Sequence, residues 1–148
     1  MWGRDSFLTK LEAEIQKRAK GKDNGFILSG EWKKFIRNQD GFGIYAVYGE
    51  WVRNNLSVLL EHGGHGFVHE FIPTDEIWVE THHHDDCGCK NLKRPRQELS
   101  QQYFDSTVIH EITEFWEMKN GTIYEKAHKT AIKKEIEVGI LKDPYGEI

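Results

Sequence analysis

The sequence predicts an α+β fold, in which a short antiparallel sheet of about four to five strands packs against an N-terminal helix and a C-terminal antiparallel helix pair. Apolar residues show helical spacing at both ends of the chain, and short β-branched and aromatic runs fill its middle. With 148 residues, 38% of them hydrophobic, the chain can bury the core of one domain. We therefore expect a single domain (1–148) with a helical N-terminus (5–37), a sheet (43–80), a long polar loop (81–97) and the helix pair (98–138).

The N-terminal part of the chain is predicted to be helical. Apolar residues recur every three or four positions from Phe7 to Ile15, which predicts a helix over 6–20 that ends at the turn formers of 20–25. A second apolar group at 31–36 is interpreted as one or two further helical turns. Turn-forming residues at 38–41 then lead into the sheet.

The middle of the chain predicts five short strands. Each is an apolar, aromatic or β-branched run bounded by turn residues: 44–48, 51–53, 56–60, 67–72 and 76–80. Gly49 supplies the positive φ of a predicted hairpin turn between the first two strands. Because the runs are short and closely spaced, we expect antiparallel pairing rather than β-α-β units.

Two helices are predicted to close the chain. The first covers 97–118 and ends at Asn120-Gly121, where the glycine adopts the left-handed C-cap conformation. Thr122 is predicted to cap the second helix, with Glu125 completing a capping box, and this helix runs to about residue 138. Helices joined by so short a turn lie antiparallel.

The clearest chemical pattern is the pentapeptide His-Glu-Ile-Thr-Glu at 110–114, inside the long predicted helix. Residues four apart share a helix face, so the side chains of His110 and Glu114 can bind one metal ion with Glu111 beside them. The alternative is an i,i+4 pair at the surface, which contributes roughly a few tenths of a kcal/mol.

A third ligand is predicted on the last helix. Counting outward from the turn at 120–121 places His128 level with Glu114. Glu135 shares the inward stripe of His128, either as a further ligand or as a partner that fixes the His128 ring by a hydrogen bond. The alternative is that His128 and Glu135 form a satisfied pair in the core. We favour a metal site with His110, Glu114 and His128 as its ligands.

The pentapeptide resembles the active-site helix of the zincin metallopeptidases, in which two histidines of an H-E-x-x-H motif bind zinc. The order of a sheet followed by this helix is also similar, and the resemblance covers no more of the chain. It implies a zinc ion, a peptide or amide bond as substrate, and Glu111 as the catalytic base that activates zinc-bound water. Glu114 stands where the family has its second histidine, which leaves other divalent metals open.

Two groups in the sheet region are candidates for further ligands or for partners of the ligands. The glycines and histidines of 62–69 predict either a flexible hairpin loop or a loop that reaches over the helical site, with His65 as the residue placed nearest to it. Glu76 and Glu80 lie on one face of the last strand, and either can present a carboxylate. Salt bridging or solvation is the alternative for both glutamates.

A second metal cluster is a further possibility in the polar loop. Soft and borderline ligands lie close together there: His82, His84, Cys87 and Cys89. The alternative is a disordered polar loop, because the spacing differs from that of structural zinc sites. The two cysteines are separated by one glycine, which is too close for a disulfide that staples the fold. Free thiols or a metal-bound pair in a reducing compartment are therefore predicted, and with them a cytoplasmic protein.

Composition excludes several classes of function. The net charge of −4 does not fit a duplex-DNA binder, so no nucleic-acid partner is expected. The chain lacks the roughly 20-residue apolar run of a membrane span, and its N-terminus lacks the apolar segment of a signal peptide. Phosphate-binding glycine loops and nucleophile elbows are also missing from the sequence.

Three hypotheses of function follow. The first is a small cytoplasmic hydrolase with a divalent metal ion, most simply Zn²⁺, acting on a peptide or protein substrate through Glu111. The alternative is a non-catalytic module that binds a partner protein and holds a structural ion with the same ligands. The third is a metal-free interaction protein whose basic segment at 90–96 contacts an acidic partner.

Overall fold

The computed structural model of the protein describes residues 5–19, 31–57, 59–60, 62–82 and 98–141. Within these ranges the elements are α1 (Ser6–Ala19), β1 (Lys33–Gln39), β2 (Phe42–Val47), α2 (Gly49–Asn55), β3 (Gly63–His65), β4 (Glu76–Glu80), α3 (Gln101–Lys119) and α4 (Tyr124–Val138). The predicted α+β class is confirmed: one open four-stranded sheet packs with the N-terminal helix and the C-terminal helix pair. No helix among the described residues is long and apolar enough to cross a membrane.

The sheet has the strand order β1-β2-β4-β3. Strands β1 and β2 form an antiparallel hairpin, whose turn residues Asp40 and Gly41 have φ of 51° and 88°. Strands β3 and β4 are also antiparallel, but β2 and β4 at the centre are parallel. The predicted antiparallel sheet is therefore corrected to a mixed one, because the chain between β2 and β4 contains α2 and β3 and crosses over before β4 begins.

Residues 31–36 are predicted as helix, but those from Lys33 onward form the first part of strand β1 instead. This strand pairs with β2 along its length, and it is an edge strand with mostly exposed or half-buried side chains. Its backbone hydrogen bonds come from β2, so strand pairing overrides a local apolar pattern of only a few residues. Among the described residues of the predicted helical N-terminus (5–37), helix is thus confined to α1, whose position agrees with the prediction.

Two of the five predicted strands are confirmed, as β2 and β4. The predicted strand at 51–53 is wrong, because these residues belong to α2, which buries Val52 against the sheet. The predicted strand at 56–60 is wrong for its described residues, which form no strand. Runs this short fit one helical turn as well as a strand, so burial decides between them.

The predicted strand at 67–72 is also wrong. The backbone N–H groups of Val68 and His69 donate to the carbonyl of His65 at 3.2 and 3.0 Å, so the chain turns directly after β3. Strand β3 itself was expected as loop, since two of its three residues are glycines. The turn brings the side chain of Val68 into a small core with α1 and α4.

The main core lies between the sheet and one side of α3. It is made of side chains from β2, β4 and α3, among them Phe42, Ile44, Ile77, Val79, Phe104, Val108, Ile112 and Phe115. A second core covers the other face of the sheet with α2: Val47, Val52, Leu60, Ile72 and Trp78. Because the apolar side of α3 packs on β2 and β4, its polar side faces the edge strand β3 and α4, and the candidate functional residues lie there.

The turn between α3 and α4 is formed as predicted, with Gly121 at a φ of 98° after Asn120. The capping box at Thr122 does not form: the N-cap residue of α4 is Ile123, without a side-chain cap. Asp5 replaces it, because its Oδ2 accepts from the backbone N–H of Glu125 at 3.0 Å. The other oxygen of Asp5 accepts from the N–H of Leu8 at 2.8 Å, so one side chain caps both α1 and α4.

Candidate metal centre

The three titratable residues of the pentapeptide on α3 are buried. His110, Glu111 and Glu114 expose 7%, 6% and 3% of their surface, which excludes the alternative of a surface pair. They point toward α4 and the edge strand β3, away from the apolar side that packs on β2 and β4. Buried carboxylates and imidazoles need partners, since each one left unpaired costs roughly 1–3 kcal/mol or more.

Glu114 lies at the centre of the cluster. Its Oε2 is 3.1 Å from Nε2 of His110 and 3.1 Å from Nδ1 of His128. One candidate ligand atom from each of the three residues lies within 4.8 Å of the other two, as the residue count from the turn predicts. Burial alone would raise the pKa of Glu114, but its hydrogen bonds with His110, His128 and His65 outweigh burial and hold the pKa well below its ordinary range.

Glu111 faces the same space but takes a different position. One of its oxygens is 3.8 Å from Nε2 of His110. It lines a cavity of about 280 Å³ whose wall also contains His110, Glu114 and His128. Burial, followed by the negative charge of Glu114, raises the pKa of Glu111 from 4.5 to about 7. The site thus combines three converging candidate ligands with a separate carboxyl group beside a cavity.

Glu135 binds His110 rather than the predicted His128. Its Oε2 is 2.8 Å from Nδ1 of His110, and its Oε1 accepts a hydrogen bond from the hydroxyl of Ser106 at 2.8 Å. Burial lowers the pKa of His110, but the hydrogen bonds with Glu114 and Glu135 more than compensate and raise it well above 6.5. Glu135 is therefore a partner of a candidate ligand and not itself one of the three converging groups.

His65 reaches the site from β3. Its Nε2 is 2.8 Å from Oε1 of Glu114, and its side chain is completely buried. The neighbouring glycine allows this approach: a Cβ at Gly63 would lie 3.0 Å from Cγ2 of Thr107 and 3.3 Å from Cγ of Glu111. Of the two predictions for this segment, the one in which it reaches the helical site agrees with the structure.

The other predicted site residues lie elsewhere. Glu76 is paired with Lys33 at 2.7 Å and accepts from the indole N–H of Trp78 at 2.9 Å. Glu80 is buried against Arg53 at 3.0 Å. Both glutamates therefore form the salt bridges that were the alternative to a role in the metal site.

The second cluster is only partly described. His82 hydrogen-bonds the hydroxyl of Thr81 at 2.7 Å and stacks on the ring of Tyr48. His84, Cys87 and Cys89 lie outside the described residues. A second metal site in this loop stays a prediction.

Two residues of the site were not predicted as functional. Tyr124 stacks on the ring of His128, and its hydroxyl is 3.4 Å from the Nδ1 atom. Burial and then the charge of Glu114 raise the pKa of this tyrosine. Ser106 holds Glu135, as described above. Each lies four residues before a histidine of the site, so the i,i+4 rule that identified Glu114 indicates these residues as well.

No protein-family model, curated protein or solved structure matches the chain.

Proposed function

We propose that the protein is a small metal-dependent hydrolase, which binds a divalent ion through His110, Glu114 and His128 and uses Glu111 as its general base. One observation carries this proposal: Nε2 of His110, Oε2 of Glu114 and Nδ1 of His128 converge beside a cavity into which Glu111 also points. A purely structural ion pair would not need a second buried carboxyl group next to open space.

The donor set fits zinc. Two imidazole nitrogens and one carboxylate oxygen form the three-ligand pattern of catalytic zinc sites, which keep one position open for water or substrate. The Glu135 contact to Nδ1 of His110 supports it, because a ligand histidine commonly donates its other N–H to a carboxylate. When bound, the ion would lower the pKa of a water molecule and polarise a carbonyl group.

The proposed role of Glu111 is to hold and transfer a proton. Its carboxylate lies beside the three ligands without being one of them, so it can accept a proton at Oε from a water molecule in the cavity. The same group can then donate that proton to the leaving amine. The apolar and aromatic cavity residues Leu11, Val68 and Tyr103 offer surface for a peptide or amide substrate.

The second candidate is a non-catalytic protein-interaction module with a structural ion. The specific observation in its favour is that the candidate ligands link α3 to α4, while His65 adds β3, so an ion would join three elements. This candidate requires no function for Glu111. For either candidate we propose a cytoplasmic location, on the basis of the cysteine pair.

Metal content is the first test. Protein purified without a histidine tag is analysed by inductively coupled plasma mass spectrometry, together with His110→Ala, His128→Ala and the control Glu137→Gln, which changes an exposed residue of α4. We expect one equivalent of zinc in the parent and control proteins and a clear loss in the other two. Absence of metal from the parent protein, or undiminished metal in both site variants, would refute metal binding.

Glu111→Gln separates the two candidates. The zinc-loaded variant is compared with the zinc-loaded parent protein for cleavage of fluorescently labelled casein and a mixture of fluorogenic peptides. Loss of most of the activity with unchanged zinc content supports the hydrolase, as a missing general base costs about 10²- to 10⁴-fold. A parent protein that binds zinc but cleaves none of these probes supports the structural candidate.

A further inference from the structure

We propose that His65 is a positioning residue, which holds Glu114 as a one-oxygen ligand and thereby makes the site selective for a four-coordinate ion such as zinc. This inference rests on the proposed function, because it concerns the metal bound by the same ligands. It adds the reason why that site would prefer zinc over ions that take more oxygen ligands.

The position of the proton on His65 follows from its neighbours. The backbone N–H of Phe67 donates to Nδ1 of His65 at 3.2 Å. A backbone N–H can only donate, so Nδ1 must be the unprotonated nitrogen and Nε2 carries the proton of the neutral ring. That proton points to Oε1 of Glu114, 2.8 Å away. His65 is thus a hydrogen-bond donor to the carboxylate.

The same proton excludes His65 as a ligand in this orientation. A ring nitrogen of His65 and carboxylate oxygens of Glu111 and Glu114 lie within 4.8 Å of one another, which by distance alone resembles a second metal site. A metal ligand, however, must present a lone pair, and the Nε2 lone pair is replaced by N–H. The geometry therefore favours one metal ion, on the other side of Glu114.

The two oxygens of Glu114 have separate tasks as a result. Oε1 accepts from His65, whereas Oε2 faces Nε2 of His110 and Nδ1 of His128 at 3.1 Å each. Rotating the carboxylate to offer both oxygens to one ion would break the bond to a fully buried donor. Leaving that donor unpaired is costly, so the one-oxygen arrangement is favoured.

His65 is held rigidly enough to act in this way. Its backbone pairs with Ile77 of β4, and its ring packs edge-to-face on Phe115 with a centroid separation of 5.8 Å. The side chain exposes no surface. With the ring fixed by pairing, packing and the Phe67 hydrogen bond, the orientation of Glu114 is set before any ion binds.

This orientation has a consequence for the choice of ion. Zn²⁺ and Co²⁺ accept a tetrahedral set of two imidazoles, one carboxylate oxygen and one open position. Ca²⁺ takes six to eight oxygens and commonly uses both oxygens of a carboxylate, and Mn²⁺ also favours oxygen ligands. A site that offers a single oxygen and two nitrogens discriminates against both of these ions.

The test uses two substitutions that divide the functions of the ring. His65→Gln places an amide N–H near the position of Nε2 and keeps the donor to Glu114. His65→Asn keeps an acceptor for the N–H of Phe67 but is too short to reach Glu114. Zn²⁺ and Mn²⁺ affinities are measured by chelator competition for the parent protein, both variants and the control Glu137→Gln, after circular dichroism has shown that each is folded.

We expect His65→Asn to lower zinc affinity about 10- to 100-fold, as outer partners of ligands do. Manganese affinity should fall less, so that the zinc-to-manganese ratio decreases. His65→Gln should restore most of both the affinity and the ratio. Equal losses in the two variants, or no loss in either, would overturn the positioning role of His65.

The Co²⁺ spectrum of the parent protein gives a test that needs no variant. Four-coordinate Co²⁺ absorbs visible light strongly, and six-coordinate Co²⁺ absorbs weakly, so we expect a strong visible band. A weak band overturns the inference but leaves the metal site in place. Absence of Co²⁺ and Zn²⁺ binding would instead refute the proposed function itself.

Discussion

Glu135 on α4 holds the imidazole of His110 on α3, with Oε2 of the glutamate 2.8 Å from Nδ1 of the histidine. Both carboxylate oxygens are used, because Oε1 accepts from the hydroxyl of Ser106. The remaining ring nitrogen of His110 therefore faces Oε2 of Glu114, at 3.1 Å. A carboxylate in this position orients a ligand histidine and increases its basicity.

Glu135→Gln is accordingly expected to lower zinc affinity by about 10- to 100-fold. The substitution keeps the size of the side chain but removes the charge that would make the His110 ring a better ligand for the proposed ion. Zinc affinity is measured by competition with a chromophoric chelator. Glu137→Gln changes an exposed glutamate on the same helix and should retain parental affinity. Indistinguishable affinities for the two variants would contradict the role of Glu135.

The raised pKa of Glu111 is expected to make the stability of the metal-free protein depend on pH. Its pKa is raised from 4.5 to about 7, first by burial and then by the charge of Glu114. Between these two pH values the unfolded chain has released the proton that the folded chain still binds. The free energy of unfolding therefore decreases as pH rises through this window, and the penalty is complete above pH 7.

Glu111→Gln removes this penalty. In the presence of a chelator the variant should be more stable than the parent protein at pH 8, by on the order of 1–3 kcal/mol, and show little difference at pH 4. Urea denaturation at pH 4, 6 and 8 measures the difference. A gain in stability of equal size at all three pH values would assign the effect to packing instead of ionisation. Together with the expected loss of activity, the result would show that the site keeps Glu111 at the expense of stability.

The helix pair and its facing residues could be predicted from sequence because they depend on local rules. The helical spacing of apolar residues predicts α3 and α4, and Gly121 predicts the turn between them, as the structure has them. Once the turn is placed, counting residues determines which side chains of an antiparallel pair lie at the same level. This is why His128 was placed opposite Glu114, where the structure has it.

The rest of the site depends on contacts between distant parts of the chain. Strand β3 brings His65 to Glu114 across 49 positions, and three residues rich in glycine give no strand signal of their own. The partner of Glu135 was predicted on its own helix but lies on α3, because the sequence does not give the rotation of one helix against the other. The cap of α4 comes from Asp5, 120 positions away from Glu125.

This long-range cap can be tested against the local one that sequence predicts. Asp5→Ala removes the acceptor for the N–H groups of both Leu8 and Glu125 and should destabilise the protein by about 1–2 kcal/mol. Thr122→Ala removes only a hydroxyl that donates to Glu117 at 3.3 Å and should cost less than about 0.5 kcal/mol. Urea denaturation compares both variants with the parent protein. The opposite ranking would show that the capping box of Thr122 forms in solution.

The buried ion pair of Arg53 and Glu80 gives a prediction that separates stability from metal binding. The two side chains expose 6% and 0% of their surface and are joined at 3.0 Å. Arg53→Met leaves the carboxylate of Glu80 buried without this partner, and breaking a buried pair in this way costs about 3–5 kcal/mol. The double variant Arg53→Met/Glu80→Gln removes the buried charge as well. It should therefore recover part of the free energy of unfolding that Arg53→Met loses.

Zinc content is the second measurement on these variants. Glu80 was a candidate for the metal site by its position on β4, but its paired carboxylate lies outside the cavity of His110 and Glu114. We therefore expect the double variant to bind one equivalent of zinc, like the parent protein, despite its lower stability. Loss of zinc from a folded double variant would mean that Glu80 does contribute to the metal site. Retention of zinc would confine the role of this ion pair to joining α2 to the sheet.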